Sequence, residues 1–119
     1  MALEKMKHVM RLNAQPFEMI KKGEKTIELR LYDEKRKSVQ KGDEIEFIHS
    51  GDENRRIRCV VLALHVFPSF RELYENLPLL KCGYTLENVS SACFEDMEQY
   101  YSADEQKKYG VVGIELKIV

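Results

Sequence analysis

The stretch that decides the fold spans residues 21–36 and reads KKGEKTIELRLYDEKR. Its first residues are typical of a helix end, and Gly23 suits the sharp turn that must follow. The next residues alternate in polarity, as expected for a β-strand, whose side chains point alternately to opposite faces. The apolar face comprises Ile27, Leu29 and Leu31, and the polar face comprises Thr26, Glu28 and Arg30. The polar face is therefore either solvated surface or the floor of a binding site.

The sequence on both sides of this stretch predicts further strands separated by helices. Alternating or apolar runs predict strands over residues 6–12, 44–49, 56–67 and 111–119, with a GDEN hairpin turn at residues 51–54. Capping residues and helix-ending glycines predict helices over residues 13–23, 69–77, 86–101 and 102–110. Gly113, inside the last strand, predicts a bulge or a close backbone approach. We therefore predict an α+β fold in which a small mixed β-barrel is flanked by three or four helices.

Length and composition are those of an ordinary globular protein. The 119 residues, 44% hydrophobic and 33% charged, predict one domain over residues 1–119. The longest apolar run, CVVLALHVF, is too short to span a bilayer, and the N-terminal residues lack the apolar core of a secretory signal. We therefore expect a cytoplasmic protein without a membrane partner.

The motifs that usually mark metal and cofactor sites do not occur. The three cysteines form no CxxC pair, and the three histidines form no HxxH or HExxH spacing. There is also no GxxxxGK[ST] loop, no GxGxxG turn and no GxSxG elbow. We therefore predict no metal and no nucleotide cofactor.

Charge is distributed unevenly along the chain. Residues 21–41 carry eight basic and four acidic side chains, whereas residues 83–106 carry six acidic side chains and no Lys or Arg. A basic segment can bind a polyanion such as RNA, because its side chains release the counterions of phosphates. Two alternatives stay open: both segments are simply solvated surface, or the acidic segment is an adaptor that binds a protein partner.

The polar face of the opening strand holds the candidate functional residues. A Lys beside an acid can stabilise developing charge, and a Glu or Thr can act as base or nucleophile when its surroundings tune it. Alternatively, Glu28 and Arg30 neutralise each other on a half-exposed strand. Aromatic rings can also stack on bases, and the tyrosines considered for this role are Tyr32, Tyr100, Tyr101 and Tyr109.

Several motifs together resemble one known family, the ASCH (activating signal cointegrator homology) domain of the PUA-like superfamily. They are PFEMIKKGEKTIELRLYDEKR with VQKGDEIEF, then VFPSFREL, and finally YYSADEQKKYGVVGIELKIV, which together span nearly the whole chain. The resemblance implies a PUA-like β-barrel flanked by helices. It also implies a cleft between barrel and helices, lined by the polar face that carries Thr26, Glu28 and Arg30.

The resemblance also implies a ligand and a possible reaction. Family members bind RNA or modified nucleosides, and some small bacterial members are ribonucleases or N4-acetylcytidine amidohydrolases. The amidohydrolase motif resembles GxKTITIR, and Glu28 stands here where that motif has its nucleophilic Thr, which leaves Thr26 as an alternative nucleophile. Lys25 and Glu28 are the predicted catalytic residues if the protein is a hydrolase. The predicted ligand-binding residues are Lys25, Thr26, Glu28, Arg30, Arg36 and Tyr109.

Overall fold

A computed structural model describes residues 5–119, so the first four residues of the predicted 1–119 domain lie outside the described residues. The strands are β1 Lys7–Leu12, β2 Ile27–Leu31, β3 Glu44–His49, β4 Asp52–Phe67 and β5 Val111–Ile118. The α-helices are α1 Ala14–Lys21, α2 Glu34–Lys37, α3 Phe70–Asn76 and α4 Ala103–Tyr109. Three 3-10 turns, Leu79–Lys81, Val89–Ser91 and Phe94–Gln99, lie between α3 and α4.

The five strands form one sheet in the order β1-β3-β4-β5-β2, curled into a half-barrel. The β1 and β3 strands pair in parallel, and the other neighbouring strands pair antiparallel. A shift of pairing register between Val61 and Ala63 falls in the middle of the long β4 strand, and bulges of this kind bend a strand and increase its twist. The predicted α+β fold with a small mixed barrel and flanking helices is confirmed.

Two apolar clusters hold the helices against the sheet. The first joins α1, through Phe17 and Ile20, to buried residues of β1, β3, β4 and β5. The second contains the whole apolar face of β2, packed against Phe70 and Leu73 of α3. Burying these apolar faces removes them from water, which is the main stabilising term for such elements. The β2 strand is therefore fixed from its apolar face, which leaves its polar face free to build a site.

Two glycines allow the chain to turn: Gly23 at the predicted end of the first helix, and Gly42 in the KGD segment at residues 41–43, whose composition predicts a tight turn. Gly23 has φ +78° and ends the α1 region just before β2, and Gly42 has φ +92° in the turn before β3. Residues with a Cβ rarely adopt such angles. Asp43 then fixes the second turn, because its carboxylate accepts hydrogen bonds from the backbone amides of Met6 and Gln40 and contacts the His8 ring at 2.9 Å.

Three local predictions differ from the structure. Residues 86–101 contain two 3-10 turns instead of an α-helix, since Val89, Ser90 and Ser91 are poor helix formers. The polar segment after β2, whose composition predicts a turn, forms the short helix α2 instead, and the side chain of Asp33 caps its N-terminus. The β4 strand already begins at Asp52, so the turn between β3 and β4 is shorter than predicted from the GDEN segment at residues 51–54. At Gly113 the close neighbour is the Leu77 side chain, since an added Cβ would lie 2.7 Å from its Cδ1. In the pairing of β4 with β5, the register shift lies on β4.

Candidate functional site

A cavity of about 520 Å³ lies over the polar side of β2. One side is formed by the end of β1 and the start of α1, and the other by α3 and the segment 82–101. The residues lining it are Arg11, Leu12, Asn13, Gln15, Pro16, Met19, Lys25, Glu28, Leu29, Arg30, Tyr74, Cys82, Gly83, Tyr84, Asn88, Asp96, Met97, Gln99, Tyr100 and Tyr101. Its volume falls in the range typical of pockets for small ligands.

The floor of the cavity is a buried cluster of three charged side chains. Glu28 is only 4% exposed. Its Oε1 lies 2.9 Å from Nζ of Lys25, and its Oε2 accepts a hydrogen bond of 2.7 Å from Nε of Arg30. Two cations therefore surround one anion, and the cluster carries one excess positive charge.

These two cations determine the protonation state of Glu28. Burial alone would raise the pKa of the Glu28 carboxyl, but the positive charges of Lys25 and Arg30 and their hydrogen bonds outweigh it and hold the pKa below its ordinary value. Glu28 is therefore a carboxylate at neutral pH. An acid of lowered pKa is a weak general base, so its surroundings favour holding charged groups in place over accepting a proton.

Arg30 also joins the two open edges of the half-barrel. The β1 and β2 strands are the edges of the sheet, and Nη2 of Arg30 donates a hydrogen bond of 2.8 Å to the backbone carbonyl of Arg11 at the end of β1. A sheet edge presents unpaired backbone groups that need partners. The Arg30 side chain supplies one partner and fixes the distance between β1 and the floor of the cavity.

The opposite wall contains a chain of hydrogen bonds between side chains. The Tyr84 hydroxyl donates to Oδ2 of Asp96 at 2.6 Å, and the hydroxyls of Tyr74 and Tyr84 lie 2.7 Å apart. Since a carboxylate only accepts, the Tyr84 proton points to Asp96 and Tyr74 donates to Tyr84. Burial and the hydrogen bonds with Asp96 and Tyr74 raise the pKa of Tyr84. Burial raises the pKa of Tyr74 to about 12, although its hydrogen bond with Tyr84 acts in the opposite direction. Both phenols are therefore protonated at neutral pH.

Three of the six predicted ligand-binding residues line the cavity. Lys25, Glu28 and Arg30 line it together. Glu28 and Arg30 thus pair with each other, and both line the cavity. The other three are placed as follows: Thr26 lines a smaller cavity of about 310 Å³, Arg36 pairs with Asp33 at 3.3 Å, and Tyr109 packs against the cluster of α3. None of these three is among the residues that line the larger cavity.

Sequence reasoning missed most of the wall. Tyr100 and Tyr101 were considered for stacking, and both line the cavity, whereas Tyr74, Tyr84 and Asp96 were not singled out. These three come from separate segments that only the tertiary fold brings together. The sequence feature that could have pointed to this wall is the acidic segment at residues 83–106, which contains no Lys or Arg. It supplies Asp96, which lines the same cavity as Lys25 and Arg30.

Metal-binding groups and membrane-spanning helices can also be assessed from the structure. Across residues 5–119, no group of three or more His, Cys, Asp or Glu side chains is arranged to hold a metal ion. Within the same range, no helix is both long and apolar enough to cross a bilayer.

Comparison with protein-family profiles assigns the chain to a family. The ASCH domain profile matches residues 10–119, which is nearly the whole chain. The chain belongs to the ASCH domain family. ASCH domains have a PUA-like fold, which is generally associated with RNA binding. No curated protein matched the sequence.

Solved structures support this assignment. The hypothetical protein PH0355 shares 36% identity with this ASCH domain, with a TM-score of 0.77 over 96% of this chain and 100% of that chain. Protein PF0455 from Pyrococcus furiosus shares 32% identity, with a TM-score of 0.70 over 96% and 98% of the two chains. ASCH from Zymomonas mobilis shares 14% identity, with a TM-score of 0.67 over 96% of this chain and 68% of that chain, and so shows the fold alone.

Proposed function

We propose that this ASCH domain binds single-stranded RNA and takes one unpaired nucleoside into the cavity over β2. The observation that carries the proposal is the cavity itself, with a cationic floor at Lys25 and Arg30 and a wall that bears four tyrosines. Unstacked bases bind proteins by stacking on aromatic rings and by hydrogen bonds to their edges. A cavity of about 520 Å³ has room for one nucleoside.

The rim of the cavity offers contacts for the rest of the RNA strand. Tyr100 is 60% exposed at the rim, so its ring is accessible to a base. The side chain of Arg11 also lines the cavity, is 56% exposed and forms a surface ion pair with Glu53. Such pairs contribute little, so Arg11 can exchange Glu53 for a phosphate at small cost. These contacts would make the affinity fall with increasing salt.

A matched pair of arginines tests the proposal. Arg11 and Arg58 are equally exposed, at 56% and 55%, and each pairs with one surface glutamate, but only Arg11 lines the cavity. We expect Arg11→Ala to weaken binding of a short mixed-sequence RNA and to flatten the plot of log affinity against log salt by about 0.7, the value for one lost phosphate contact on a single strand. Arg58→Ala should leave both quantities unchanged. Equal effects of the two variants, or no binding by the unaltered protein, would contradict the proposal.

A hydrolase acting on RNA or a modified nucleoside is the second candidate. One observation favours it: the ammonium of Lys25 lies in the cavity, 2.9 Å from the Glu28 carboxylate, where it could stabilise a developing negative charge. Incubating the protein and its Lys25→Ala variant with RNA and with N4-acetylcytidine, and following products by mass, separates the two candidates. Product from the unaltered protein alone supports the hydrolase. Binding without product supports the RNA-binding domain.

A further inference from the structure

Asp96 is the anionic side chain of the cavity wall, and the floor cluster does not neutralise it. Glu28, the other carboxylate in the lining, has a cation on each of its oxygens. Among the described residues, by contrast, Asp96 is held by neutral donors: the Tyr84 hydroxyl, the Cys93 backbone amide and the Cys93 thiol. A group on a ligand would therefore meet a carboxylate that keeps its full negative charge.

The hydrogen bonds of Asp96 leave one oxygen available. Tyr84 and the backbone amide of Cys93 both donate to Oδ2, at 2.6 and 3.3 Å. Within residues 5–119, the single donor to Oδ1 is the Cys93 thiol, at 3.3 Å. A carboxylate oxygen can accept two hydrogen bonds, and a thiol is a weak donor. Oδ1 thus retains the capacity to accept a strong hydrogen bond.

The Tyr84 hydroxyl fixes the orientation of this carboxylate. Its hydrogen bond also lowers the pKa of Asp96 in spite of the opposing effect of burial. Asp96 is therefore an acceptor and never a donor at neutral pH. Nucleobases differ in what they offer to such a group, because cytosine and adenine carry an exocyclic amino group where uracil and hypoxanthine carry a carbonyl oxygen.

We propose that Asp96 is the specificity residue of the cavity, and that its carboxylate selects a nucleobase with an exocyclic amino group. This inference rests on the proposed RNA-binding function and names the class of base that enters the cavity. The amino group donates to Oδ1, while the base lies among the tyrosines of the wall. A carbonyl oxygen in the same place meets a negative charge and has no proton to share, so the corresponding base is rejected.

The test uses pairs of RNA ligands that differ only in this group. Short oligomers of cytidine and uridine, and of adenosine and inosine, are titrated at equal length and salt. We expect the amino member of each pair to bind at least about tenfold more tightly, the scale on which one hydrogen-bonded base contact discriminates. Asp96→Asn keeps an oxygen for Tyr84 and adds an N–H₂ donor, so it should abolish or reverse this preference. Glu95→Gln, the same kind of change on an exposed neighbour outside the cavity lining, should preserve it.

The outcomes separate this inference from the function on which it rests. If the protein binds RNA but does not distinguish the members of either pair, the inference is wrong and the RNA-binding proposal stands. An Asp96→Asn variant that weakens both members of a pair equally would show that Asp96 only supports the wall, which also overturns the inference. If no oligomer binds, the RNA-binding proposal itself fails.

Discussion

Glu28 shows how a single residue can serve both stability and function. Its carboxylate is buried between Lys25 and Arg30, so all three charges depend on each other. Removing one partner from a buried ion cluster leaves an uncompensated charge away from water. Because the cluster contains two cations and one anion, loss of the Glu28 charge should destabilise it more than loss of either cation.

We predict that Glu28→Gln lowers the free energy of unfolding by about 3 kcal/mol, because Lys25 and Arg30 then repel each other without a counter-charge. Urea denaturation at neutral pH measures the change. Glu46→Gln is the matched control, since Glu46 also pairs with one lysine and one arginine, Lys7 and Arg56, but these are about half exposed. Glu46→Gln should lower the free energy of unfolding much less, because water solvates the cations that it leaves unpaired. Equal losses for the two variants would show that the Glu28 cluster behaves as a surface network.

Asp43 is the residue that ties β1 to the turn before β3. Hydrogen bonds from His8 and from the backbone amides of Gln40 and Met6 hold the pKa of its carboxyl below its ordinary value, although burial acts in the opposite direction. A depressed pKa means that the native state binds this proton less readily than the unfolded chain does. The stabilisation by Asp43 is therefore complete above the pKa of the unfolded chain and is lost as the pH falls through the lower pKa of the native state.

We predict that Asp43→Asn destabilises the protein at neutral pH. The difference from the unaltered protein should shrink as the pH falls below about 4, where the Asp43 carboxyl of the unfolded chain takes up a proton that the native state still excludes. Thermal unfolding across a pH series tests this. Asp52→Asn serves as the control, because Asp52 is exposed and its carboxylate accepts a local hydrogen bond from the backbone amide of Asn54. A difference between Asp43→Asn and the unaltered protein that stayed constant down to pH 3 would rule out the assigned role.

At the scale of elements, Gly113 couples β5 to the end of α3. A Cβ on this residue would lie 2.7 Å from Cδ1 of Leu77 and 3.1 Å from Cγ2 of Ile27. Both distances are shorter than ordinary contacts between carbon atoms. The side chain of Leu77 thus occupies the space that the glycine leaves, and this contact helps to seat α3 on the sheet.

We predict that Gly113→Ala costs about 1–2 kcal/mol through overpacking. Leu77→Ala removes the closest clash, so the double variant should be less destabilised than the sum of the two single variants. A double-mutant cycle by urea denaturation gives this interaction energy directly. Strict additivity would mean that the strain lies elsewhere, for example against Ile27.

The elements also show what the sequence could and could not predict. The alternation of β2 and the capping box at Ser102 and Glu105 act within a few residues, so both predictions are confirmed by the structure. In segment 86–101, local propensity accounts for the absence of an α-helix, but the position of the segment depends on contacts from Asp96 to Tyr84 and from Tyr84 to Tyr74. The floor could be predicted because its residues lie on or just before β2, whose alternating pattern is local. The wall could not, because contacts between segments distant in the sequence build it.

At the scale of the whole molecule, the site joins two parts of different character. The floor belongs to the sheet, whose strands pair continuously from β1 to β2. Between residues 82 and 101, by contrast, the wall is built of 3-10 turns and includes many exposed residues. Segments with few buried apolar contacts open at lower free energy than core strands. The wall is therefore the part of the cavity that a ligand can stabilise most.

Amide hydrogen exchange can test this division and the location of the site together. Without ligand, we predict that amides of residues 82–101 exchange at least about tenfold faster than those of β3, β4 and β5. A saturating short RNA should then slow exchange in residues 82–101 and at the start of α1, because a bound nucleoside would bridge the two sides of the cavity. The β3–β4 hairpin supplies the internal control, since it does not line the cavity and its exchange should stay the same. Protection confined to that hairpin would place the RNA on the opposite face of the sheet, and the cavity would then need another ligand.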